Sequence, residues 1–153
     1  MKRIGILTAG FIILSVLFAS DLLAQPRGFR WRGSSGWGWG TPYSKMYDPK
    51  TVETLSGEVV SVDKITPMKA MSYGVYMNVK TEKETVSVQL GPGWYLENQD
   101  VKIEPKDRVE VRGSRVTLFG KPAIFAAEVK KGEQVLKLRD DDGFPIWSGW
   151  RRR

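Results

Sequence analysis

The residues with chemistry to offer in this chain are aromatic rings and cations. Trp94 and Tyr95 follow Gly91-Pro92-Gly93. Such a pair either closes one end of a β-structure as core or grips a ligand there. Arg108 and Arg112 flank Glu110 at alternate positions, with Arg115 and Lys121 close behind. That spacing fits a phosphate-binding stripe, but such residues more often form a solvated face whose ion pairs are worth little. Trp147 and Trp150 lie three apart and lead into Arg151, Arg152 and Arg153. As a docking peptide for an acidic partner, the indoles would bury area and the arginines would speed encounter. As plain structure, Phe144, Ile146 and one Trp would fold back onto the core while the arginines sit in water.

The exclusions are sharper than the assignments. The 153 residues include no His and no Cys. The commonest general base, the thiolate nucleophile and the usual zinc, copper and haem ligands are therefore missing. Asp140-Asp141-Asp142-Gly143 is acidic but lacks the alternating ligand spacing and distal Glu of a calcium loop, so a turn is expected. No nucleophile–base pair or spaced carboxylate pair stands out. The chain reads as a non-enzyme without cofactor or metal.

The formal charge of +7 and pI near 9.7 favour anionic partners without naming one. Met1-Lys2-Arg3 followed by the apolar run Ile4 to Ala19 and then Ala24 has the order of a secretory signal peptide over residues 1–24. Export to the periplasm or medium is the expectation, with no integral membrane span after cleavage. Residues 25–50 form a second segment, rich in Gly, Trp and Arg and without periodicity. It reads as a flexible linker. Its rings, including Trp37, Trp39, Tyr43 and Tyr47, would either strap back onto the domain or serve as a sticky arm for bases or sugars.

These groups need a scaffold, and from Thr51 onward the pattern has period two. Glu53 to Asp63 is rich in β-branched residues. Tyr73 to Thr81 alternates, with Tyr73, Val75, Met77 and Val79 on one face and Tyr76, Asn78 and Lys80 on the other. After Glu82-Lys83-Glu84, the strand Thr85 to Leu90 puts Val86, Val88 and Leu90 inward and Thr85, Ser87 and Gln89 outward. Trp94 to Val101 has room for one or two helical turns. Arg108 to Arg112 resumes alternation, Gly113-Ser114 introduces a kink, and Pro122 to Lys130 forms the last main strand. Glu133 to Leu138 is short enough to add one more. The expected domain spans residues 51–132, with a C-terminal extension over residues 133–153.

Five strands with a helical insert between the third and fourth is the order of an OB-fold. The stretches Ser56 to Asp63, Val86 to Leu96 and Asp107 to Gly132 resemble small exported bacterial OB-fold proteins, often labelled nucleic-acid binding by fold analogy. The resemblance implies an all-β, five-stranded OB-like barrel and an envelope location. It leaves activity open, because such modules bind oligonucleotides, oligosaccharides and proteins alike. A nucleic-acid site would need several aromatics on the outer face of strands two and three, where this chain offers Tyr76 alone or with Tyr73. The leading expectation is a binding module that docks an envelope protein through its barrel face and Trp/Arg-rich ends. The alternative is an anionic polymer, DNA, RNA or an acidic glycan, held by the basic surface.

Overall fold

The computed structural model of the protein describes residues 36–149. The expected leader, the arm as far as residue 35, and Trp150 with Arg151, Arg152 and Arg153 lie outside the described residues.

The period-two segments become six strands: β1 (Val52–Ile65), β2 (Gly74–Lys80), β3 (Thr85–Pro92), β4 (Arg108–Leu118), β5 (Lys121–Lys131) and β6 (Gln134–Lys137). The architecture is all-β. The strands run in the order β3-β2-β1-β4-β5-β6, and a further pairing of β3 with β5 closes the first five into a ring. Every ladder is antiparallel except β3–β5, where Ser87, Val88 and Gln89 lie parallel to Ala123, Ile124 and Phe125. Six strands form where five were expected, because Gln134 to Lys137 pairs along the outer edge of β5.

Strand β1 serves two neighbours. Its first half, Val52 to Glu58, pairs with β4, and its second half, Glu58 to Ile65, pairs with β2 across a bulge between Val59 and Ser61. The expected kink at Gly113-Ser114 is a register shift between Arg112 and Gly113 inside an unbroken β4. Residues alternate between two faces of a strand. Met77 and Val79 on β2, Val86, Val88 and Leu90 on β3, and Val109 and Val111 on β4 accordingly share one buried core. The helical insert is one turn, α1 (Gly93–Leu96), shorter than the reach to Val101 expected from sequence.

Strand β5 departs from alternation. Ala123 through Ala127 are all buried, the pattern of a strand covered on both faces. One cover is the described half of the segment expected to be a flexible linker. There Trp37, Tyr43 and Tyr47 are buried, with short 3₁₀ turns at Ser44–Met46 and Pro49–Thr51. Gln89, expected in water, is buried for the same reason: Tyr43 lies over it and donates its hydroxyl to the Gln89 Oε1 at 3.5 Å. The Tyr43 ring also packs on Phe125, with centroids 4.6 Å apart. Because Gln89 and Phe125 are register partners, Tyr43 sits on the β3–β5 seam that closes the ring.

Candidate functional site

The arm and the C-terminal extension meet. Two glycines on paired strands provide the bed, since Val75 of β2 faces Gly91 and its neighbour Gly74 faces Pro92. A Cβ on Gly74 would fall 2.3 Å from the Trp37 ring, and one on Gly91 would fall 2.8 Å from the Trp147 ring. Only the absence of side chains lets both indoles approach the strands so closely. Trp147 donates its Nε1 to the Trp37 carbonyl at 2.8 Å, and Trp37 donates to the Ser72 carbonyl at 3.2 Å. The two indoles contact edge to face at 6.4 Å. This buries Trp147 and removes it as an exposed docking residue, by the fold-back that its neighbours' hydrophobicity allowed.

Beneath them lies Arg139, a cation the sequence reading passed over. It is buried between Trp147 and Phe125, its guanidinium 5.0 and 5.5 Å from their ring centres. It donates to the carbonyls of Ala126 at 2.5 Å and Leu90 at 3.4 Å. Among the described residues no carboxylate pairs with it. Burial pushes its pKa down, while the Tyr43 and Tyr47 hydroxyls nearby pull it up. Burial also pushes the Tyr43 phenol well above its ordinary range. These groups join β3, β5, the arm and the tail into one polar–aromatic cluster. Its effect is to hold the arm and tail in place.

What that framework presents to water is an aromatic pair. Trp39 and Phe144 stand 53% and 41% exposed with ring centroids 5.3 Å apart, and Ile146, at 43%, follows on the same extension. Trp39 N–H donates to Ser148 Oγ at 3.3 Å, fixing arm to tail beside the pair. From Phe144 to Trp147 exposure alternates: Phe144 and Ile146 face out, Pro145 and Trp147 face in. Asp140 Oδ1 accepts from the N–H groups of Asp142 at 3.0 Å and Phe144 at 2.8 Å, so the Asp-rich stretch is a turn that sets the direction of Phe144.

The other candidate residues do not converge. Trp94 and Tyr95 are buried on α1, and Tyr95 donates to the Lys137 carbonyl at 3.1 Å while its ring meets Trp147 at 5.4 Å. They close the core and are not placed to grip a ligand. Tyr76 is half-buried, in register with Asp63 and Gln89. The cations of β4 are divided. Arg112 pairs with Asp141 at 3.3 Å and Glu128 at 3.8 Å, and Arg115 joins Glu53 at 2.7 Å to Glu84 at 2.5 Å. Hydrogen bonds to those two carboxylates raise the Arg115 pKa further above its already high value. Arg108 and Lys121 are exposed. A continuous phosphate-binding stripe is not formed, because acidic neighbours answer two of its four cations.

The exposed pair escaped the sequence reading because Trp39 was one of many arm aromatics. The period-two pattern Phe144-Pro145-Ile146-Trp147 did carry a signal for which rings face out. Nothing marked Arg139 as internal, since the preceding alternation of Leu136 and Leu138 points it outward.

No curated protein matches the chain. Residues 51–136, from the foot of β1 into β6, match the MamS/MamX magnetosome protein family. The match covers more than half of the chain and all five strands of the ring, and the chain belongs to the MamS/MamX magnetosome protein family.

Proposed function

We propose that this chain is a non-catalytic, exported binding module that docks a partner protein of the magnetosome envelope through Trp39, Phe144 and Ile146. The observation that carries the proposal is the exposed aromatic pair, built jointly by arm and tail on a buried framework. Rigid, preorganised aromatics lose little entropy on binding and dominate interface energetics. The ring order β1-β2-β3-β5-β4 with one helical turn between β3 and β4 supports an OB-type barrel as the scaffold. Export rests on residues 1–24 as read from the sequence. The polyanion reading draws on the charge of +7, but the ion pairs of Arg112 and Arg115 weaken it.

A photo-crosslinking residue placed at Phe144 tests the assignment against one placed at Lys121. In a purified magnetosome fraction, the first should yield discrete protein adducts and the second none. Adducts only from Lys121, or only with nucleic acid or glycan, would overturn the docking reading.

A further inference from the structure

The first half of strand β1 has an unpartnered edge. Between Val52 and Gly57 it pairs with β4 only, because the β2 ladder begins at Glu58 opposite Lys80. The direction of its main-chain groups follows from Val59, which donates to the Asp107 carbonyl at 2.8 Å and accepts from Lys106 N–H at 2.7 Å. In an antiparallel pair, alternate residues turn their N–H and C=O to the same neighbour. Glu53, Leu55 and Gly57 therefore bond toward β4, and Thr54 and Ser56 turn their main-chain groups the other way. Among the described residues no strand pairs with β1 on that side of Thr54 and Ser56.

The open edge lines a groove of about 930 Å³ whose opposite wall is the β2–β3 hairpin, Lys80 to Glu84. Arg115 spans one end of it, from Glu53 to Glu84. Toward the other end, Arg108, Glu58 and Lys80 lie side by side in register across three strands, two cations about one carboxylate. Folded proteins usually blunt a free edge with Pro, Lys, a bulge or a covering loop. Here the side chains at the edge are the short, exposed hydroxyls of Thr54 and Ser56.

We infer that this edge accepts an extended, proline-free segment of a protein partner as an added strand. Main-chain hydrogen bonds to Thr54 and Ser56 hold the segment, and an acidic residue of it faces the Arg108–Glu58–Lys80 row. The edge pairs with main chain, so the segment is chosen by its extended form and one charge more than by a particular sequence. This surface shares no residue with the Trp39–Phe144 pair and stands whether or not that pair docks a partner.

The test uses the full chain and the peptide acetyl-Val-Thr-Glu-Thr-Val-amide, followed by amide resonances and hydrogen exchange. Exchange at Thr54 and Ser56 should be fast in the free protein and slow by about tenfold or more when the peptide saturates. The same peptide with every amide N-methylated should leave both residues unchanged, and replacing its Glu by Lys should weaken binding severalfold. The double variant Trp39→Ala/Phe144→Ala should bind the peptide normally, which separates this test from that of the aromatic pair. Unchanged Thr54 and Ser56 at millimolar peptide, or equal binding of the N-methylated form, would overturn the inference.

Discussion

Trp147 Nε1 donates to the main-chain oxygen of Trp37 at 2.8 Å, joining residues 110 positions apart in sequence. The bond is buried, both rings lie over glycines, and its two ends belong to segments outside the five-stranded ring. The described parts of arm and tail, residues 36–50 and 133–149, thus belong to the folded unit, and the exposed Trp39–Phe144 pair depends on them.

Trp147→Ala should therefore act on stability first. Removing a buried indole costs about 3–5 kcal/mol, which lowers the Tm by on the order of 10–20 °C in a domain of this size. Differential scanning calorimetry measures it. A fall of only a degree or two would mean that the tail is not part of the cooperative unit.

Most of the ring was legible because β2, β3 and β4 carry alternating apolar residues. Val86, Val88, Val109 and Val111 point inward as their spacing requires, and the turns carry Gly, Pro or charge. What escaped was the second layer. Tyr43 over Gln89 and Arg139 between Phe125 and Trp147 are contacts between different elements, made where a polar residue meets an aromatic one. Binary patterning places such residues in water, and only the covering arm and tail reverse that. Gly74 and Gly91 held the one local clue, since glycines on neighbouring strands leave room for rings, but each alone reads as a strand-end break.

Arg139 gives a prediction of unusual sign for a cation. It stacks on two rings and caps two carbonyls without a carboxylate partner, so no orphaned acid remains when it is replaced. Arg139→Ala should cost about 2–4 kcal/mol through the cavity and the unpaired carbonyls. Arg139→Met, which refills the volume without a buried charge, should cost about half as much or less. Urea denaturation compares them. A methionine variant as costly as the alanine variant, or worse, would contradict the cavity account, since both lack the charge and differ in volume.

Alkaline pH probes the same cluster. Burial raises the Tyr43 pKa, and those of Tyr47 and Tyr95, so the fold favours the neutral phenols. That stability is fully present below the ordinary tyrosine value of about 10. It is lost as pH climbs beyond it, because the unfolded chain ionises while the folded one resists. The denaturation midpoint should fall steeply above about pH 10, and Tyr43→Phe should flatten the fall. An identical pH profile in the Tyr43→Phe variant would place the alkaline transition elsewhere.

The proposed docking role gives arm and tail one purpose, to present an aromatic surface to a partner protein. Its most direct test pairs Trp39→Ala with Phe144→Ala and measures capture of magnetosome-envelope proteins and melting temperature on the same sample. The account predicts that the Tm stays within a few degrees, since both rings are about half exposed. Capture by the variant should be lost, while capture by the parent protein should persist at high salt, because an apolar interface is little screened. Undiminished capture by the double variant, or parent binding that collapses steeply with salt as polyanion contacts do, would contradict it.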